Sequence, residues 1–232
     1  MNITLLLESF FTILKGIPIT LTMVIFSLFG GLLLGIILLY LQRIFFIKNI
    51  INAYIFFFRG TPFFLQLFLI YYGLGDIVSN FIDINNQDSF LVDLLLNPFF
   101  YAILALILNS SAYSIGMIKS GLNSIPKGQI QAGIALGMNK PIILKRIIIP
   151  QIFSYTLPVY SNEAIALVKA SSLASTITIM DITAIMSQIR SQTYSFLEPF
   201  IVSACFYLVI NFIFINIFRY LETKSSKWIY QK

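Results

Sequence analysis

Four residues of this sequence are best placed to do chemistry: Arg59, Glu163, Lys169 and Ser172. Lys169 and Ser172 are three apart, which makes them neighbours on a helix and gives the spacing a Ser–Lys dyad would need. Asn162 and Lys169, seven apart, share a helix face, whereas Glu163 and Lys169 do not, so Glu163 is not expected to neutralise Lys169 along one helix. Much other chemistry is excluded by composition. With no histidine there is no imidazole base, zincin site or histidine-held haem. The single Cys205 cannot form an intrachain disulfide or a multi-cysteine metal site. No G-x-x-x-x-G-K-[ST] occurs, so the chain has no Walker-type cradle for nucleotide phosphates. No cofactor is expected.

The elements that must position these residues are read from where charge is missing. The 232 residues carry 15 basic and 9 acidic side chains, 58% hydrophobic content and 23 phenylalanines. A soluble domain of this length cannot hide so much apolar surface, which points to a polytopic membrane protein. Residues 16–42, 60–75, 94–118 and 147–162 are free of charge, as are 199–218. With about 20 apolar residues needed per crossing, five spans are expected near 18–41, 49–74, 96–118, 150–175 and 199–219. The first is too late and too long for a cleavable signal peptide, and residues 2–14 read as its lead-in. A charge at the bilayer centre costs about 2.5–3.5 kcal/mol on insertion scales, so Arg59, Glu163 and Lys169 should face a bundle interior or water. The alternatives are a headgroup position for Arg59 and snorkelling for Lys169. Pro62, Pro150 and Pro158 each free a backbone carbonyl within a span. Gly31 and Gly35 form a small-xxx-small pair for close helix packing. Tyr71, Tyr72 and Trp228 suit membrane–water interfaces, and Cys205 reads as a small core residue.

Charge sign sets orientation. Arg43 and Lys48 follow span one, and Lys119, Lys127, Lys140, Lys145 and Arg146 lie between spans three and four. Arg219, Lys224, Lys227 and Lys232 follow span five, and these three segments hold a single acid, Glu222. The opposite side carries Glu8, Asp76, Asp83, Asp88, Asp93, Asp181 and Glu198 against Lys15 and Arg190. The positive-inside rule places the first set in the cytoplasm, with the amino terminus out and the carboxyl terminus in. The net charge of +6 is thus a topology signal, and no nucleic-acid partner is expected. Residues 76–98 form the longest external stretch, with a short helix expected over Phe90–Leu96. There is no internal repeat or linker, so residues 1–232 read as one domain.

The inside loop at 119–149 is the most informative segment. Ser124 can cap a helix with Pro126 in its first turn. Gly137 or Asn139 can end it, and Pro141 restarts the chain. Ile130, Ile134 and Met138 form an apolar stripe, flanked by the small residues Ala132, Gly133 and Ala135. Such a stripe suits docking into another protein's groove or lying under the bilayer.

This loop resembles the EAA loop of ABC importer permeases. Gln131, Ala132, Gly133, Gly137, Ile147, Ile149 and Pro150 keep that motif's spacing, with Gln131 in place of the acid, Gly133 of the second alanine and Ile149 of leucine. Further stretches resemble the polar amino-acid branch of those permeases: Arg59-Gly60-Thr61-Pro62 followed by Gln66 to Gly73, Asn109 to Tyr113, Ile125 to Gln129, Tyr160-Ser161-Asn162-Glu163, and Lys169 to Leu173. Gly116, Lys119 and Ala170 depart from what many relatives carry. The resemblance runs in order over roughly residues 15–225 and is greatest to arginine, then histidine, permeases.

The resemblance implies an all-α membrane protein of the permease type, with five transmembrane helices and a cytoplasmic coupling helix, in the bacterial cytoplasmic membrane. It implies separate cytoplasmic ATP-binding subunits, a second permease subunit (identical or homologous), an external substrate-binding protein and surrounding lipid. It further implies that Lys127, Gly128, Gln131, Ala132, Gly133, Gly137 and Met138 serve coupling. A substrate path is expected past Arg59, Gln66, Asn109, Asn162, Glu163, Lys169 and Ser172, with Glu163 a partner for a cationic side chain or for another helix. A secondary transporter or channel would also have few charges, but would not need the loop's spacing. A Ser–Lys membrane enzyme is the remaining alternative.

Overall fold

The computed structural model describes residues 2–81 and 90–230, and every regular element among them is helical. Asp83, Asp88 and Lys232, and the side chains of Lys227 and Trp228, lie outside the described residues. The chain runs through α1 (Ile3–Ile13), α2 (Ile17–Leu41), α3 (Phe45–Gly60), α4 (Phe63–Phe68), α5 (Gly75–Phe81) and α6 (Phe90–Leu96). It continues through α7 (Pro98–Asn123), α8 (Lys127–Ala135), α9 (Lys140–Ile143), α10 (Ile149–Ser171), α11 (Ile182–Thr193) and α12 (Leu197–Tyr230). Four helical runs are long and apolar enough to cross a membrane: Ile3–Leu41, Pro98–Asn123, Lys140–Ile177 and Leu197–Ser225.

The first run is longer than a crossing needs. Its 39 residues extend about 58 Å at 1.5 Å per residue, against roughly 30 Å of hydrocarbon. The extra length is α1, which leads through a 3-10 turn (Leu14–Gly16) into α2, as the lead-in reading expects. It packs on α11 and α12. The Asn2 N–H donates to Glu198 Oε1 at 2.9 Å, so Glu198 is buried and engaged rather than a free external charge. Gly16 is required at this contact: a Cβ there would lie 2.7 Å from the Ile182 backbone nitrogen.

The second span departs from a straight crossing. The helical pair Phe45–Gly60 and Phe63–Ser79 is bent by 116° at Thr61–Pro62. The basic Arg43 and Lys48 before it and Asp76 after it make the pair one broken span rather than a loop returning to the inside. Between α4 and α5 the chain widens into a π-helix over Leu69–Leu74. The expected helix at Phe90–Leu96 is present.

α2 and α7 form the most extensive pairing in the bundle, and the expected glycine pair explains it. A Cβ at Gly31 would stand 2.7 Å from Ser110 Cβ, and one at Gly35 2.8 Å from Ser114 Cβ. α10 then packs across α7, α2 and α12, and the Tyr160 hydroxyl donates to the Leu28 carbonyl. α7 runs five residues past the expected end at 118, because a helix already formed continues through Lys119 once it leaves the hydrocarbon. Residues 182–193, read from sequence as external loop, form α11. Its Ile182, Ile185 and Ile189 are buried and its N-cap Asp181 is fully covered. Cys205 is exposed on α12 rather than in the core.

Candidate coupling helix and translocation path

The loop helix α8 begins after Pro126, which serves as its N-cap residue. Ser124 does not cap it; its hydroxyl donates back to the Ser120 carbonyl and closes α7 instead. At the other end Gly137 adopts φ +74°. The Met138 N–H reaches the Gly133 carbonyl at 3.0 Å and the Gly137 N–H reaches Ile134 at 2.9 Å. This is the Schellman arrangement that a left-handed glycine permits. Of the two candidate terminators Gly137 therefore ends α8, and Asn139 caps α9 by accepting from the Ile142 N–H at 3.1 Å. Pro141 opens α9.

The surface of α8 divides in two. Lys127, Gly128, Gln131, Ala132 and Ile134 are exposed, as is Leu136 at 77%, an apolar side chain that the expected stripe leaves out. Ile130 and Met138 are half-buried. Gly133 faces the chain's own arm, where a Cβ would meet Ile147 Cδ1 at 3.0 Å and Ile143 Cγ1 at 3.5 Å. Its smallness lets α8 seat on that arm. Gln151 Nε2 also donates to Gln129 Oε1 at 2.6 Å. α8 is thereby fastened to the start of Lys140–Ile177, a helical run of 38 residues.

That run carries the intramembrane polar residues on two faces. Glu163 is buried, 7% exposed, and points into the bundle. Ser110 of α7 stands beside it, without a geometrically complete hydrogen bond to the Ser110 hydroxyl. Asn162 and Lys169 lie on the exposed face, as the helical spacing predicts. The Ser172 hydroxyl donates to the Lys169 backbone carbonyl at 2.7 Å, an arrangement that ties it to the helix rather than to a lysine amine. Arg59 is exposed and lies over the Tyr113 ring, its guanidinium carbon 5.2 Å from the centroid. Nothing but hydrogen at Gly116 leaves that space open, since a Cβ there would sit 3.2 Å from Arg59 Nη1.

Gln66 and Asn109, both expected along the path, bond the backbone where span two breaks. Pro62 has no N–H, so the Phe58 carbonyl loses its helical donor. Gln66 Nε2 reaches that carbonyl at 2.9 Å, the Thr61 carbonyl at 2.9 Å and Thr61 Oγ1 at 2.8 Å. Asn109 Nδ2 donates to the Phe58 carbonyl at 3.2 Å and to Gln66 Oε1 at 2.8 Å. Gln66 is 1% exposed. The two amides brace the break in span two.

At the outer end Asp181 caps α11 by accepting from the Ala184 N–H at 2.8 Å, with the Tyr207 hydroxyl donating to its other oxygen at 3.3 Å. Burial pushes its carboxyl up to about 6, against these hydrogen bonds, which lower it.

Comparison with known proteins follows this geometry. Residues 31–227 match the family model described as the binding-protein-dependent transport system inner membrane component. The chain belongs to this family. It is 41% identical over 217 residues to the octopine transport system permease protein OccM of Rhizobium radiobacter, covering 93% of this chain and 86% of that one. It is 40% identical to the arginine ABC transporter permease protein ArtM of Haemophilus influenzae, covering 91% of each. Among solved structures it is similar to one described as an amino acid ABC transporter with histidines, at TM-score 0.81 and 29% identity over 97% of this chain and 99% of that one. The permease is thus a multi-pass protein of the cytoplasmic membrane. Two features of it escaped sequence reasoning. The buried face of α11 had a signal in the i, i+3, i+7 spacing of its isoleucines, whereas the Gln129–Gln151 tie had none.

Proposed function

We propose that this permease is one of a pair of membrane subunits, identical or homologous, in an ATP-driven importer of a basic amino acid, arginine foremost. The observation that carries the reading is continuity. A single helical run joins the exposed loop helix α8 to buried Glu163, so a push on one reaches the other. Residues 1–232 act as one unit, with no cofactor of their own. Because the chain lacks a phosphate cradle, ATP is hydrolysed by separate cytoplasmic subunits. Lys127, Gly128, Gln131, Ala132 and Met138 enter a cleft of that ATPase, while Gly133 and Gly137 shape the helix that does so. An external binding protein delivers substrate, and closure of the ATPase moves the docked helix and switches the bundle between outward- and inward-open states.

Glu163 supplies the charge that recognises the substrate. A buried carboxylate without a counter-charge is costly, and a guanidinium or ammonium entering the bundle provides one. Asn162, Lys169 and Ser172 extend along the face turned to the second subunit, with Arg59 at the end of α3. Gln66 and Asn109 support the path by holding span two in its bent form. The relatives named for octopine, arginine and histidine transport support the substrate class. The test is arginine uptake into proteoliposomes holding the full complex. Glu163→Gln is expected to lower uptake at least tenfold while basal ATP hydrolysis stays within twofold. Unchanged affinity and rate would remove Glu163 from the substrate's path, and uptake without ATP would overturn the importer reading itself.

A further inference from the structure

On the outer side, the π-helix of span two, α5, the end of α6 and the start of α7 line an open cavity of about 280 Å³. Three tyrosines wall it. The Tyr71 ring lies 4.8 Å from Tyr72 and 5.8 Å from Tyr101, both edge-on. Asp76 and Ser79 also line it, as do Leu95 and Leu96 at the end of α6. Tyr101 is 3% exposed, and its buried hydroxyl has no hydrogen-bond partner among the described residues. That hydroxyl faces Gly75, where even a Cβ would be 3.8 Å away. A buried hydroxyl at a cavity wall with nothing to bond is a costly arrangement unless something else supplies the bond. Tyr71 and Tyr72 both belong to the π-helix, and such turns recur at functional sites.

The chemistry of this cavity selects a cation. Aromatic faces attract guanidinium or ammonium groups within about 6 Å. Asp76 contributes a carboxylate, and the Ser79 oxygen can accept from a group rich in N–H donors. No basic side chain stands among the described residues that line the cavity. A free amino acid suits the cavity poorly, because no basic side chain among its lining residues would neutralise the carboxylate, which would also face Asp76. The cavity also lies off the path proposed above: positions 101 and 110 are nine apart on α7, half a turn from each other's face, and Ser110 is the residue beside Glu163. A basic side chain of a protein has the required cation and no carboxylate.

We propose that this cavity is a socket for one arginine or lysine side chain of the external substrate-binding protein. Tyr71, Tyr72 and Tyr101 embrace the cation and Asp76 neutralises it, fixing the binding protein over the outer mouth of the bundle. The proposal rests on the reading that such a protein delivers substrate to this permease.

The experiment uses the assembled transporter in nanodiscs and follows ATP hydrolysis as the binding protein co-purified with it is titrated. Asp76→Asn and Tyr72→Leu are expected to raise the half-saturating concentration about tenfold, and Tyr101→Phe about threefold, with the maximal and basal rates unchanged. Tyr101→Phe removes only an unbonded hydroxyl, so its thermal unfolding should match or exceed the parent's. N-acetylarginine methylamide, an arginine side chain with blocked ends, should compete with docking in the parent and not in Asp76→Asn. Unchanged half-saturation in all three variants overturns the socket while leaving the importer reading intact. Stronger competition by free arginine than by the blocked form overturns it in favour of an amino-acid site. An Asp76→Asn effect that vanishes when phosphatidylethanolamine is omitted overturns it in favour of a lipid headgroup. No stimulation of the parent complex by any binding protein defeats the delivery reading, and the socket with it.

Discussion

Spans two and four both contain proline, and the chain treats it in opposite ways. At Thr61–Pro62 both residues are extended and the helix axis turns by 116°. In the run Lys140–Ile177, Pro150 sits at the start of α10 after a π-helical turn (Leu144–Ile148), Pro158 lies inside α10, and the helix stays continuous. The difference is not in the prolines. At the first site the amides of buried Gln66 and half-buried Asn109 supply the donors that the backbone has lost, so a full break is stable. At the second a π-helical turn precedes Pro150 and widens the winding there, and Pro158 is carried within the α-helix without a break. The bent span frames the outer cavity, while the straight one links the loop helix to Glu163.

The comparison breaks most readily at Gln66. Replacing it with leucine leaves the Thr61 carbonyl and the Asn109 amide short of partners in a buried place. At about 1–3 kcal/mol for each unsatisfied group, Gln66→Leu should cost roughly 2–5 kcal/mol, read as a lower unfolding temperature in detergent. Asn109→Leu should cost less, because the Phe58 carbonyl keeps its bond from Gln66. Equal or negligible losses for the two variants would mean that the amides do not hold the bend.

This brace shows where sequence reading stops. Pro62 announces that a carbonyl is freed, and Gln66 and Asn109 announce polar groups in apolar spans, but nothing local says that they belong together. Asn109 is 43 residues from Gln66, and only packing of α4 on α7 joins them. Features settled within one turn of chain were legible, including the end of α8 at Gly137 and the close approach at Gly31 and Gly35. The five crossings were legible too, because hydrocarbon thickness imposes a length on charge-free sequence. Ser124 misled because serine bonds equally well at the end of one helix and the start of the next. Asp181 read as a solvated external charge, since the covering of α11 by α1 and α12 is long-range.

The amides bracing span two cannot titrate near neutrality, whereas the Asp181 cap can. Its folded carboxyl titrates at about 6 against an ordinary value of 3.8. The folded form therefore holds more protons than the unfolded form between those values, and stability falls as pH rises through that window. At about 1.36 kcal/mol per pH unit, the loss between pH 4 and pH 6 is at most about 3 kcal/mol. Unfolding temperatures measured across this range should decline with rising pH in the parent. Asp181→Asn keeps a capping oxygen without the charge and should flatten the profile. A profile equally steep in the variant would assign the dependence to another group.

The smallest expected effect lies at the joint between α8 and the straight arm. Gly137 holds φ +74° with nothing beyond its chain neighbours within 4 Å of where a Cβ would stand, so a Cβ there meets no steric block. What a substitution disturbs is conformation, at about 1–2 kcal/mol for most residues and less for asparagine, which visits the left-handed region routinely. Gly137→Ala and Gly137→Val should loosen the end of α8 and lower arginine uptake per ATP hydrolysed several-fold, with valine worse. Gly137→Asn should stay close to the parent. If asparagine fails as badly as valine, then the space beside Gly137 is what coupling needs, and a surface of the ATPase must fill it. If all three variants couple normally, α8 does not transmit motion through its fixed end, and the stiff arm would have to be driven through the Gln129–Gln151 tie instead.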